Sequence, residues 1–174
     1  HRPFDASDLG SRFRVIWSGA EYCGRGLQTS WKGRADFQHC RILKMKKINA
    51  WNHEKWLQAC GTKSVEWDAV TTGNFGGFDV WLEEGDDAEL DLASNHGSLQ
   101  IPLNQIDLED HVLDAGGLER QIRVFRLPEI NPDREIEHHL QIPLKPSQDN
   151  PLWIFVNAED GFQAWSSPIF VIPS

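Results

Sequence analysis

The stretch Phe78-Asp79-Val80-Trp81-Leu82-Glu83 places an apolar side chain at every second position. In an extended chain, successive side chains point to opposite faces, so residues 78, 80 and 82 share one face. Asp79, Trp81 and Glu83 share the other face. This alternation is typical of a β-strand with one buried and one solvent-facing side.

The same alternation recurs about every dozen residues along the chain. It is found in residues 13–17, 65–69, 90–92, 99–103 and 136–144. Two further runs, Leu152–Val156 and Ile169–Ile172, are apolar on both faces and predict central strands. Turn residues separate the runs at Gly73–Gly77, Glu84–Asp87, Asn95–Ser98 and Glu159–Gly161. We therefore predict an all-β fold, a two-sheet, mostly antiparallel, jelly-roll-like β-sandwich, with residues 1–174 as a single domain.

Helix signals are scarce. The best candidate is His53–Ala59, with Asn52 as the N-cap and Gly61 just after the end, which predicts one short helix. Trp56, Leu57 and Cys60 would form its buried face. The stretch Glu109–Leu118 fits either a helical turn or a hairpin around Gly116 and Gly117.

Charge and composition limit the possible partners. The formal net charge of −9 argues against nucleic acid, because phosphate binding requires a basic surface. The basic run Arg41–Lys47 is interleaved with apolar residues, and we interpret it as a solvated strand face. No apolar run reaches the ~20 residues that span a bilayer, so we expect no membrane insertion.

The residues that could carry chemistry do not form a specific motif. Three cysteines, Cys23, Cys40 and Cys60, lack metal-ligand spacing, although one pair could still form a disulfide. His138 and His139 are adjacent and would point to opposite faces of a strand, His138 toward the core. The acidic stretch Glu83–Asp91 lacks the spacing of a calcium loop, and we interpret it as a hairpin tip. We expect no catalytic residue, no metal and no cofactor.

One set of residues on the polar side of residues 78–83 suggests ligand binding. Trp81 should lie there between Asp79 and Glu83. An exposed tryptophan can stack on a sugar ring or dock a partner. The three residues are therefore the candidate ligand-binding site.

Three segments resemble the C-terminal region of a bacterial protein family of unknown function. They are Arg14–Tyr22 with Gly24–Gly26, then Val70–Asp79, then Asp149–Pro151 through Glu159–Gly161 to Ala164–Ile169. The N-terminal part of the full-length members looks like a PHP-type, amidohydrolase-like metal-dependent hydrolase. The His-x-His opening motif of that part does not occur in this chain, so none of its catalytic residues is carried over.

The resemblance implies an accessory role beside a hydrolase. The chain would be a non-catalytic C-terminal part of a larger protein, with the upstream hydrolase domain of the same polypeptide as its partner. The start at His1-Arg2-Pro3, without Met, fits a fragment. Two alternatives stay open: an independent carbohydrate-binding-like module, and a stand-alone enzyme using acids such as Asp68, Asp79 or Glu109.

Overall fold

A computed structural model describes residues 10–49, 56–128, 137–146, 148–157 and 163–171. Its internal contacts divide the chain into two compact units, residues 1–130 and 131–174. The assignment of residues 1–174 to a single domain stays a prediction. Within the described ranges, no helix is long and apolar enough to cross a membrane.

The first unit is an antiparallel sheet of eight strands. In chain order the strands are β1 Ser11–Cys23, β2 Gly26–Ile48, β3 Trp56–Cys60, β4 Ser64–Thr71, β5 Phe75–Ser94, β6 Gly97–Pro102, β7 His111–Asp114 and β8 Leu118–Leu127. Hydrogen bonds give the order β3-β4-β2-β5-β1-β8-β7, with β6 beside β5 and an additional pairing of β2 with β1. The all-β prediction is confirmed.

The sheet of this unit folds over into two layers. The two long strands β2 and β5 belong to both layers. The first part of β5, residues 75–84, lies between β1 and the second part of β2. Its last part, residues 89–94, lies between the first part of β2 and β6. Register shifts between Gln38 and Cys40 and between Ile42 and Lys44 mark β-bulges in β2. Bulges bend a strand, which lets both strands pass from one layer to the other.

The core lies between the two layers. In the run that includes β5, the predicted inward residues Phe78, Val80 and Leu82 are each fully inaccessible. Trp17 of β1 stacks on Trp67 of β4, with ring centroids 5.0 Å apart. The side chains of both layers form one cluster.

Two predictions about local structure in this unit are wrong. Residues 56–59 are not helical, because Trp56–Cys60 form β3 and pair with β4 along their whole length. Strand alternation buries Leu57 and leaves Trp56 44% exposed, so the predicted helical face does not exist. Residues 50–55 lie outside the described ranges. Residues 84–87 do not close a hairpin, because β5 continues through them. The one helical segment in the described ranges is a 3-10 turn, Leu103–Gln105.

The remaining turns of the first unit follow the glycine signals. Residues 72–74 connect β4 to β5, and Asn95 with His96 connects β5 to β6. The ambiguous stretch Glu109–Leu118 is a hairpin: β7 pairs with β8 across Gly116 and Gly117. Both glycines have positive φ, 66° and 64°, which explains why residues without a Cβ occupy this turn.

The second unit contains four strands of three residues each. They are β9 Asn150–Leu152, β10 Phe155–Asn157, β11 Gln163–Trp165 and β12 Ile169–Val171. β9 pairs with β12 and β10 with β11, giving two separate two-stranded sheets. The turn predicted at residues 159–161 lies outside the described ranges.

Two strand predictions in the second unit are wrong. Residues 137–144, expected to alternate as a strand, belong to no strand and are exposed; Ile136 lies outside the described ranges. Residues 152–156 and 169–171 are not central, because each short strand has one described partner; Ile172 lies outside the described ranges. Pro151 cannot donate a backbone hydrogen bond, which restricts pairing of β9.

Candidate functional site

Asp79 lies on the outer side of β5, and its side chain is nevertheless completely buried. Its carboxylate accepts two hydrogen bonds from Arg14 of β1, from Nε at 2.6 Å and from Nη2 at 2.9 Å. Arg12 Nη2 donates a third at 2.6 Å. Two parallel N–H···O bonds make the Arg14–Asp79 pair bidentate, a geometry that fixes both side chains. Asp79 therefore joins β5 to β1 and is not presented to solvent.

Trp81 and Glu83 also contact basic side chains. The guanidinium carbon of Arg12 lies 4.9 Å from the Trp81 ring centroid, and Lys44 Nζ of β2 lies 4.6 Å from it. Both distances are within the range of cation–π attraction. Arg41 Nε donates to Glu83 at 2.8 Å. The candidate ligand-binding residues thus share a face, as predicted, but each has a basic partner, and ligand binding stays a prediction.

These partners come from strands that are distant in sequence. In the sheet, Arg14 lies opposite Asp79 and Arg12 opposite Trp81. Lys44 lies opposite Trp81 on the other side of β5. One sequence signal indicated these basic partners: Arg12 and Arg14 are two residues apart, which places both cations on one face of β1. The register that brings them to β5 cannot be read from local pattern.

A second polar cluster lies on the outer side of the layer that contains β4 and the first part of β2. Arg34 Nε donates to Asp36 at 2.7 Å, and Arg34 Nη2 donates to Ser64 Oγ at 2.8 Å. Arg34 also pairs with Glu66, and the Ser64 hydroxyl donates to Asp36. The hydrogen bond from Arg34 lowers the pKa of Asp36, and the two carboxylates raise the pKa of Arg34. The cluster joins β2 to β4 through charge-assisted hydrogen bonds.

The acidic stretch lines one side of a groove. The groove has a volume of about 580 Å³ and is lined by Glu84–Glu89, Pro102, Asn104 and Gln105. Glu84 lies 3.5 Å from Arg126 Nη2, and Glu89 accepts a hydrogen bond from Gln100. Within the described ranges, no group of three or more His, Cys, Asp and Glu side chains is placed to hold a metal ion.

The histidines and cysteines do not meet at a common site. His138 is exposed, so its predicted core position is wrong, because its segment forms no strand. His139 is 92% exposed and lies 3.2 Å from Glu137. All three cysteines are free thiols. Burial raises the pKa of the Cys40 thiol, and desolvation together with Glu66 raises the pKa of Cys60.

The acids proposed for a stand-alone enzyme are also separated. Asp68 lies on β4, 3.0 Å from Lys32 Nζ. Glu109 lies in the loop before β7, where its backbone N–H donates to Asp107. Asp79 is buried on β5. Each of the three lies on a different element of the first unit.

An exposed apolar surface of the second unit was missed, because six of its seven residues belong to the runs that were predicted to form central strands. We name it the hairpin surface; it comprises Trp153, Ile154, Phe155, Val156, Trp165, Ile169 and Phe170, each 49–66% exposed. Phe155 lies opposite Trp165, with ring centroids 5.2 Å apart. No charged residue occurs in residues 150–156 or 164–171.

Comparison with known proteins adds no assignment. No family model, no curated protein and no solved structure matches the chain, so the resemblance to PHP-type hydrolases stays a prediction.

Proposed function

We propose that the chain is a non-catalytic accessory module of a larger, PHP-like metal-dependent hydrolase. Its role is to bind the hydrolase domain through the hairpin surface. The observation that carries the proposal is the exposure of seven large apolar side chains in two runs without charged residues, 150–156 and 164–171.

The size of the hairpin surface supports a protein partner. Four half-exposed aromatic rings and three aliphatic side chains together present roughly 800 Å² to solvent, at 150–250 Å² per aromatic side chain. This area is divided between the two faces of the short strands, because neighbours such as Phe155 and Val156 point to opposite faces. A specific protein–protein interface usually buries about 800 Å² per partner, so one face of this surface supplies roughly half of that area. Monomeric proteins rarely expose apolar patches of more than a few hundred Å².

The short strands of the second unit support the same conclusion. Each of its two sheets has two strands of three residues. An isolated two-stranded sheet is at best marginally stable in water and needs a further strand or an apolar face to pack against. A bound domain would supply that face.

The polar candidates of the first unit support a structural role for that unit. The carboxylate of Asp79 accepts hydrogen bonds from Arg12 and Arg14. The ring of Trp81 contacts two cations, Arg12 from the strand on one side of β5 and Lys44 from the strand on the other side. A sugar stacking on Trp81 would have to displace Lys44 or Arg12. This arrangement favours docking over the carbohydrate-binding alternative.

The test measures binding of the full chain to the hydrolase domain that we propose to lie upstream of His1, by titration calorimetry. We expect wild-type chain to bind and to raise the thermal stability of that domain. The variant Phe155→Asp/Phe170→Asp should bind at least about 30-fold more weakly, because charge replaces apolar contact at the surface. Leu108→Asp is the matched control, since Leu108 is 67% exposed but lies in the first unit.

Two results would contradict the proposal. One is an upstream domain that is equally stable and active with and without the chain. The other is equal binding by wild type and by Phe155→Asp/Phe170→Asp. Near-UV circular dichroism of each variant verifies that the chain has folded.

A further inference from the structure

Within the described residues, the edge strand β3 has no charge, proline or bulge, three features that usually prevent edge-to-edge pairing. Natural sheets protect their edges with charged residues, prolines or bulges. β7 carries His111 and Asp114, and β6 ends at Pro102. β3 reads Trp56-Leu57-Gln58-Ala59-Cys60, with no charge and no proline, and it pairs with β4 in regular register. Within the described ranges, its other side has no strand partner.

The sequence of β3 is compatible with pairing to a copy of itself. In an antiparallel pair centred on Gln58, Gln58 faces Gln58, Leu57 faces Ala59, and Trp56 faces Cys60. Leu57 is 6% exposed on the core side, whereas Trp56 is 44% exposed on the outer side. Alternation keeps Gln58 and Cys60 on the side of Trp56. Every side chain therefore meets one from the same side of the sheet.

The carboxylates on β4 beside β3 do not oppose this pairing. On β4, Glu66 is paired with Arg34, and Asp68 lies 3.0 Å from Lys32. The carboxylates nearest the edge are thus neutralised within each chain, although the chain carries a net charge of −9. β3 itself carries no charge that would attract a charged partner peptide. A second copy of β3 is also uncharged and needs no complementary charge.

We propose that two copies of this chain associate through β3, antiparallel and across a two-fold axis at Gln58. The sheets of the two copies then become continuous. This contact uses a different surface from the proposed hydrolase-binding surface, and it adds an assembly state to the proposed function without depending on it.

The first test compares Gln58→Lys with wild type by sedimentation equilibrium of the full chain. Within one chain, position 58 lies opposite Glu66, so a lysine there is tolerated. Across the two-fold axis, two lysines would face each other, and like charges directly opposite weaken strand pairing. We expect a wild-type dimer whose dissociation constant rises at least about tenfold in Gln58→Lys. Gln100→Lys, on edge strand β6 opposite Asp91, is the matched control and should dimerise like wild type.

The second test is a cross-link. Opposed residues of antiparallel strands have Cα atoms about 4.5–5.5 Å apart, within the range of a disulfide. Gln58→Cys in a Cys23→Ser/Cys60→Ser background, which removes the exposed Cys23 thiol as well, should form a covalent dimer on mild oxidation, and Gln100→Cys in the same background should not.

Three outcomes would overturn the inference: a wild-type chain that is monomeric at all concentrations, a Gln58→Lys variant that dimerises as tightly as wild type, or equal cross-linking at positions 58 and 100. None of them affects hydrolase binding by the hairpin surface. Conversely, a chain that dimerises through β3 but does not bind the hydrolase domain contradicts only the proposed function.

Discussion

Trp17 and Trp67 stack in the core with an interplanar angle of 10°, although they lie on β1 and β4. Along the sheet, β5 and β2 lie between these two strands. Three steps at about 4.8 Å would separate the rings by more than about 14 Å in a flat sheet. The contact at 5.0 Å therefore requires the sheet to fold over, and the tryptophan pair holds the two layers together.

Replacing Trp67 by alanine should lower the free energy of unfolding by about 3–5 kcal/mol, because a fully buried indole leaves a cavity. Urea unfolding measures the loss. The exciton couplet of the stacked indoles in far-UV circular dichroism should disappear with it. Trp153→Ala is the control, since Trp153 is 59% exposed. A loss below about 1 kcal/mol in Trp67→Ala would contradict the role of this pair.

Gly33 provides an independent check of the same contact. A Cβ at Gly33 would lie 2.2 Å from Cζ2 of Trp67, so an alanine there forces the ring or β2 to move. We expect Gly33→Ala to be destabilised by about 1–3 kcal/mol, as is usual when a packed core is overfilled. Thermal unfolding beside Gly26→Ala, where a Cβ meets nothing within 4 Å, separates this effect from the general cost of replacing glycine.

The sequence predicts the inward positions of the first unit because burial imposes the alternation directly. Phe13, Val15 and Trp17 illustrate this, since all three are buried as their spacing indicates. Strand β3 cannot be told from a helix in this way, because five residues are too few to show a period. Its strand state depends on pairing with β4.

The candidate site shows the same limit. The shared face of Asp79, Trp81 and Glu83 follows from local alternation. Their partners Arg12, Arg14 and Lys44 follow from register, which depends on the whole sheet. In the second unit, purely apolar runs predict burial, although the structure leaves them exposed.

The burial of Asp79 leads to a prediction that separates structure from ligand binding. Asp79→Asn removes the negative charge that accepts hydrogen bonds from Arg12 and Arg14, and we expect a loss of about 3 kcal/mol. Asp68→Asn is the control, because Asp68 is 48% exposed and its pair with Lys32 should contribute less than about 1 kcal/mol. A stable Asp79→Asn variant that had lost affinity for a saccharide would instead support the carbohydrate-binding alternative.

The three thiols should react with an aromatic disulfide reagent in a fixed order. Cys23 is exposed and should react first. Cys40 is 5% exposed and burial raises its pKa, so at neutral pH it lacks both access and thiolate and should react only on unfolding. Cys60 should react slowly, because desolvation and Glu66 raise its pKa. Cys23→Ser should remove the fast phase, and a fast phase that persists in this variant would contradict the order.

The Arg34–Asp36 pair predicts a specific pH dependence of stability. Arg34 holds the pKa of Asp36 below its usual 3.8, so the folded chain binds the proton less readily than the unfolded chain. The stabilisation is therefore complete above pH 3.8 and is lost as the pH falls through the lower folded pKa. Because the side chain of Asp36 is 29% exposed, we expect it to contribute less than about 1 kcal/mol.

Urea unfolding of wild type and Asp36→Asn from neutral pH to about pH 3 measures this contribution as the difference between the two. The difference should shrink on acidification, because the protonated carboxyl of Asp36 and the amide of the variant are both uncharged. In an Arg34→Met background the shrinkage should weaken, since the hydrogen bond from Arg34 is the main cause of the lowered pKa. A difference that stays constant with pH, or one that is unchanged in the Arg34→Met background, would show that the pair does not couple folding to protonation.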